Sequence, residues 1–260
     1  MVSRPRGAAR PSAPGRERLR LVSEIRSAAS GIPDDWLRGY LGSPVPVLGV
    51  RTEQLRRTVR ETGRRVAEWP AEKRWALVES LWRGETYEER SAAIELLGRR
   101  PFVSEARAWR LAARWVDDAT GWALSDSLAS GPVATLAAAR PERFSELMRW
   151  TRSKNIWRRR ASTYALRGWV RAGELDPPFQ LLERLLDDPE RWVQRAVGTW
   201  LRECWKKDAV RTERFLRREV HRLAPVVITV ATERAPARFR EELRQTARSG
   251  RGRRPGRRGL

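Results

Sequence analysis

The chain has 260 residues, and 54 Lys and Arg outnumber 32 Asp and Glu to give a formal net charge of +22. Four of the cations are lysines (Lys73, Lys154, Lys206, Lys207), and a GC-rich coding bias explains the preference for arginine but not the excess of base over acid. A charge of that sign and size points to a polyanionic partner, nucleic acid ahead of an anionic membrane surface, through long-range steering and counterion release. Cys204 and His221 are the single cysteine and histidine, which excludes an internal disulfide, suits a reducing cytoplasm, and leaves no zinc site of the deaminase kind.

In chain order, residues 1–16 are rich in Arg, Gly, Pro and Ser and read as a disordered basic tail. They lack the apolar stretch of a secretory signal. From 17 to 247, amphipathic segments of roughly 12 to 18 residues alternate with short breaks at Pro33, Pro70, Pro101, Pro141, Pro177 and Pro189, the pattern of successive helices. Asp188-Pro189-Glu190 reads as an N-cap, a first-turn proline and a first-turn acid. The acidic pairs Asp34-Asp35, Asp117-Asp118 and Asp187-Asp188 sit beside such breaks and read as helix caps rather than metal ligands. The apolar run Leu223–Ala231 contains Pro225 and is too short to span a bilayer. Residues 248–260 form a second basic tail. No segment alternates like a strand, so the fold class expected is all-α.

The core also repeats. Tyr87, Trp122, Trp157 and Trp192 are spaced by 35 residues; three positions later come Arg90, Ser125, Arg160 and Arg195, and one further Ser91, Asp126, Ala161 and Ala196. A period near 35 with two helices per unit is the signature of an α-solenoid of HEAT-like helical repeats. Offsets 0, 3, 4 and 7 share one helical face, so stacked repeats carry a stripe of aromatics and arginines. The stripe can line a concave basic groove that receives phosphates. It can equally pack between helices, with its arginines paired to acids of neighbouring repeats. Asp126 breaks the pattern, a carboxylate where its siblings are small. A cationic field is expected to favour its ionised form, and Trp122, one turn earlier, would complete a receptor for positive charge. The competing role is local hydrogen bonding within a helix start, shared with Ser125 or Ser127.

Much chemistry is missing: there is no phosphate-binding GxxxxGK loop, no nucleophile elbow and no second histidine for a triad. Nothing recommends Lys154 as a Schiff-base nucleophile. Catalysis by this chain would rest on a carboxylate, aromatics and arginines.

The order Tyr40, Val47-Leu48-Gly49-Val50, Leu81-Trp82 and Glu88-Glu89-Arg90 resembles the N-terminal half of the AlkD-type DNA alkylation-repair glycosylases. Trp122-Ala123-Leu124-Ser125-Asp126 resembles that family's Trp-Asp-x-x-Asp segment. Asn155-Ile156-Trp157-Arg158-Arg159-Arg160-Ala161 and Trp192-Val193-Gln194-Arg195-Ala196-Val197-Gly198 resemble its next two repeats, and Leu223-Ala224-Pro225 its last helix, over about residues 34 to 235 in all. The resemblance implies a HEAT-like solenoid that wraps duplex DNA containing alkylated bases. It implies hydrolysis of the N-glycosidic bond of cationic N3- and N7-alkylpurines, with no metal, no cofactor and no membrane, by a monomer in the bacterial cytoplasm or nucleoid. By position, Asp126 would stabilise the developing oxocarbenium sugar and position water, and Trp122 would pack on the lesion's deoxyribose. Arg160 would hold a backbone phosphate and Tyr40 would line the groove, with Trp157, Arg90, Arg195, Arg159, Thr199 and Trp200 as further DNA-binding candidates. Two positions depart from the pattern: Thr199 stands where the family carries a second nucleotide-contacting tryptophan, and Ala123 where it carries its first Asp. A non-catalytic solenoid binding duplex or branched DNA, or structured RNA, is the alternative, with a protein scaffold third.

Overall fold

The computed structural model describes residues 12–32, 34–104 and 106–251, which form helices and turns with no strand among them. The described residues fall into two compact units, one before and one from residue 106.

The first unit holds α1 (Ala13–Ser27), α2 (Asp34–Leu41), α3 (Thr52–Arg65), α4 (Ala71–Trp82) and α5 (Tyr87–Leu97), then a 3-10 turn over Phe102–Ser104. α1 packs on α3 and α4, and α5 on both of those. Their shared core includes Leu21, Ile25, Val59, Trp75, Leu77 and Leu81, all buried. α5 starts where the sequence places it because Thr86 and Glu89 form a reciprocal capping box. The preceding loop is tied down by Glu88, a buried carboxylate that accepts the backbone N–H groups of Leu48 (3.0 Å), Gly49 (2.9 Å) and Val50 (3.3 Å). Gly49 has φ +72°, and a Cβ there would meet Ser30 Oγ at 2.2 Å, so only glycine fits.

The second unit contains α6 (Ala106–Asp118), α7 (Trp122–Leu128), α8 (Ala134–Ala138), α9 (Glu142–Trp150), α10 (Ile156–Tyr164), α11 (Arg167–Ala172), α12 (Asp176–Glu183), α13 (Arg191–Lys207), α14 (Ala209–Arg218), α15 (Pro225–Ala231) and α16 (Ala237–Arg251). A π turn at Ala129–Val133 joins α7 to α8, kinked at Gly131 and Pro132, where proline removes a backbone donor. α10 packs between α7 and α13, and α13 packs on α15, so within this unit the helices opening at Trp122, Trp157 and Trp192 stack as neighbours. Gly198 permits the α13–α15 approach: a Cβ there would lie 2.8 Å from Val230 Cβ and 3.2 Å from the Val227 carbonyl oxygen.

The same period governs the second helices of the repeats. Arg211 pairs with Asp176, Arg218 with Glu183 (3.2 Å) and Arg222 with Asp187 (2.7 Å), each pair 35 residues apart. Phe179 and Phe215 stack beneath this ladder with ring centroids 4.8 Å apart. Each exposed pair adds little stability alone; together they show that α12 and α14 are equivalent helices in successive repeats.

The prolines mark breaks as expected at Pro70 and Pro141, the residues before α4 and α9, at Pro177 in the first turn of α12, and at Pro101 before the 3-10 turn; Pro33 lies outside the described residues. Other expectations are corrected. Helix takes in residues 13–16 and 248–251, assigned from sequence to the tails, and Ser12 caps α1; residues 1–11 and 252–260 lie outside the described residues. α13 starts at Arg191 with Glu190 as N-cap, two residues later than Asp188-Pro189-Glu190 suggests. Asp188 instead accepts the Glu190 N–H (2.9 Å) and holds Arg159. Asp117 closes α6 and takes Arg158 through two 2.6 Å bonds, so these acids serve arginines more than helix starts. Among the described residues, no helix is long and apolar enough to cross a membrane.

Candidate active site

The site is built from α7, α10 and α13. α7 exposes Trp122 partly and, one turn later, buries Asp126. α10 begins at an N-cap, Asn155, whose side chain accepts the Trp157 N–H at 2.9 Å, and this start fixes the register that aims Arg160 at α7. Arg160 meets Asp126 side-on: Nε donates to Oδ1 and Nη2 to Oδ2, both at 2.7 Å. Its Nη1 donates to the Trp192 carbonyl of α13, and Nη2 also donates to the Tyr164 hydroxyl at 3.1 Å. Four of a guanidinium's five N–H donors are thus engaged. The side chains of Arg160 and Asp126 are only 7% and 12% exposed.

Aromatic rings close round this pair. The Arg160 guanidinium lies 5.1 Å from the centroid of Tyr164 and 5.8 Å from that of Trp192. The Trp157 and Trp192 rings are 6.1 Å apart, and Tyr164 packs edge-on against Trp200 at 5.6 Å. Ser125 Oγ donates to the Trp157 carbonyl (3.3 Å) and Ser130 Oγ to the Asp126 carbonyl (2.7 Å), locking α7 to α10 and to its own π turn.

The electrostatics differ from the sequence expectation. Burial is the largest influence on Asp126 and raises its pKa, while hydrogen bonding and charge from Arg160, and a hydrogen bond from Tyr164, pull the other way without cancelling it. Burial also works against the Arg160 charge, but Asp126 outweighs it and holds the guanidinium more firmly charged than usual. The Tyr164 hydroxyl is raised too, first by burial and then by the nearby carboxylate, so it stays protonated. The fixed guanidinium, sharing two 2.7 Å bonds with the carboxylate, favours its ionised form against burial, and the pair titrates as a unit.

The candidates named from sequence separate clearly. Asp126, Arg160, Trp122, Trp157, Thr199 and Trp200 all belong to this three-helix region, but Trp200 is buried at 6% exposure and supports Tyr164 from behind. Arg160 is sunk in an ion pair and does not offer an open guanidinium to phosphate. Arg159 is occupied by Asp188 through bonds of 2.6 and 3.2 Å and by the Ser153 carbonyl. Arg195 is exposed on α13. In the first unit, Arg90 is half-buried and donates to the Gly84 carbonyl (3.3 Å), and Tyr40 is 60% exposed with its ring stacked on Trp36. Of the two arrangements open for the arginine stripe, pairing with a neighbouring repeat holds for Arg160, and solvent exposure for Arg195. Tyr164 was missed. Its only signal is offset 7 in the 35-residue frame, where Ala129 and Thr199 are its unlike siblings.

The family model described as DNA alkylation repair enzyme matches residues 26–235. A predicted DNA alkylation repair enzyme from Enterococcus faecalis superposes with a TM-score of 0.67 at 17% identity, covering 78% of this chain and 95% of that one. AlkD2 from Streptococcus mutans superposes at 0.60 and 16% identity, covering 83% and 97%. At such identities these likenesses are of fold, that of AlkD-type helical-repeat proteins. Among proteins with curated descriptions none matches. The match to the family model spans α2 to α15 with the three-helix site inside it, and the chain belongs to the DNA alkylation repair enzyme family.

Proposed function

We propose that the protein is a DNA glycosylase that hydrolyses the N-glycosidic bond of cationic N3- and N7-alkylpurines in duplex DNA. The observation that carries this reading is the carboxylate of Asp126, buried and paired side-on with Arg160, set one turn from Trp122 beside the rings of Tyr164 and Trp192. An alkylated purine is already a cationic leaving group, so no strong general acid is required; the barrier lies in the positive charge that develops on the sugar. A preorganised anion in a low-dielectric pocket stabilises that charge, an effect typically worth about 3–4 kcal/mol. Asp126 supplies the anion and the acceptor for the attacking water. Trp122 supplies a face for the deoxyribose, and the exposed cations, Arg195 among them, supply attraction for the phosphates. The test is release of free 7-methylguanine from a methylated duplex.

A non-catalytic DNA-binding role is the second reading. It is favoured by the side-on pairing with Arg160, which takes up a lone pair on each carboxylate oxygen. Duplex binding without base release would establish it.

A further inference from the structure

We infer that Tyr164 is a positioning residue for Asp126: its hydroxyl accepts from Arg160 and donates to the carboxylate, closing a three-membered ring of hydrogen bonds. The geometry follows from α10, where Tyr164 stands one turn beyond Arg160 and presents its hydroxyl 3.1 Å from Nη2, the same nitrogen that donates to Asp126 Oδ2. Trp200, edge-on at 5.6 Å, fixes the ring from α13.

Two side-chain oxygen groups, the Asp126 carboxylate and the Thr199 hydroxyl, lie near the Tyr164 hydroxyl. Thr199 Oγ1 gives its own hydrogen to the Arg195 carbonyl (2.9 Å), so it can only accept. A carboxylate is the stronger acceptor of the two, since a charge-assisted bond outweighs a neutral one. The hydrogen therefore belongs to Asp126. There it opposes the effect of burial and helps keep the carboxylate ionised.

Other charged groups near the ring are committed elsewhere. On α10, Arg158 turns to Asp117 and the Ala113 carbonyl of α6, and Arg159 to Asp188. Arg167 of α11 donates to the Ser130 carbonyl of the π turn (3.0 Å), and Arg195 of α13 points to solvent. Arg160 and Tyr164 are the side chains that set the carboxylate's state.

The test titrates the Asp126 carboxyl carbon by NMR in the whole protein carrying ¹³C-labelled aspartate. Wild type is compared with Tyr164→Phe, which keeps the ring and loses the hydroxyl, and with Thr199→Val, which removes the competing acceptor. Asp126 should titrate at higher pH in Tyr164→Phe and no higher than wild type in Thr199→Val. Identical titration in wild type and Tyr164→Phe, or an upward move in Thr199→Val, overturns the inference. A second readout rests on the proposed glycosylase reading: the acid limb of the excision profile should move to higher pH in Tyr164→Phe, with excision about tenfold lower below that limb and an unchanged alkaline plateau. An upward NMR titration in a wild-type background that releases no base rejects the glycosylase reading and leaves the role of Tyr164 standing.

Discussion

Removing the two partners of the buried pair separately should have unequal consequences, because a carboxylate can neutralise itself by taking a proton and a guanidinium cannot. Asp126→Ala strands Arg160, 7% exposed, with two donors that had charged acceptors at 2.7 Å. Hydrogen bonds to charged groups are worth roughly 1.5–3 kcal/mol each, and breaking a buried pair from one side typically costs about 3–5 kcal/mol. Arg160→Met leaves Asp126 free to protonate and should cost only about 1–2 kcal/mol. The double variant holds no stranded charge and should lie within about 2 kcal/mol of wild type, so the two changes are non-additive by at least about 2 kcal/mol. Urea unfolding followed by circular dichroism measures all four corners. The pH dependence has a definite sign: the folded state binds the Asp126 proton more tightly than the unfolded chain, so this group's contribution is fully present below the ordinary carboxylate range. It is lost as pH rises through the folded value. The cost of Asp126→Ala should thus be largest in acid and shrink toward neutrality. A cost under about 1 kcal/mol for Asp126→Ala, or simple additivity in the double variant, would show that the pair is not buried as described.

Three further outcomes are expected. Arg195→Ala should weaken binding to all duplex sequences alike and reduce the log–log salt slope by about one unit; a change confined to one sequence would argue against a phosphate contact. Gly198→Ala should destabilise by about 1–3 kcal/mol because its Cβ meets α15 at 2.8 Å, seen as a melting temperature lowered by several degrees, and an unchanged melt would mean that α13 and α15 are farther apart. Glu88→Ala, by stripping three backbone donors of their acceptor, should cost about 3 kcal/mol or more and speed amide exchange at Leu48, Gly49 and Val50; protected amides there would refute the anchoring role.

What was legible in the sequence was whatever the repeat made periodic. The starts of α5, α7, α10 and α13 follow the aromatic spacing of 35 residues, and Asp126 stood out because its siblings are small. The partner of Asp126 was harder to see. The pair joins offset 4 of one repeat to offset 3 of the next, 34 residues apart, so no single column of the alignment contains both. Arg160 read as a phosphate clamp for the same reason that Arg195 did; only packing distinguishes a guanidinium seated on a neighbouring carboxylate from one left in solvent. The ladder of Asp176, Glu183 and Asp187 with Arg211, Arg218 and Arg222 was periodic too, but it lies on α12, α14 and the turns that follow them, outside the frame anchored on the aromatics. The start of α13 slipped because Asp188, a plausible cap by composition, is drawn off by Arg159 across 29 residues.

The central claim is that Asp126 carries base excision, and single-turnover release of free 7-methylguanine by wild type and Asp126→Asn tests it most directly. Asp126→Asn keeps an acceptor for Arg160 and removes one negative charge, so duplex affinity should be unchanged or slightly higher. Excision should fall by about 10²–10³, the scale for losing one electrostatic stabiliser of a transition state. Equal rates of base release from the two proteins, at matched duplex occupancy, would contradict the account.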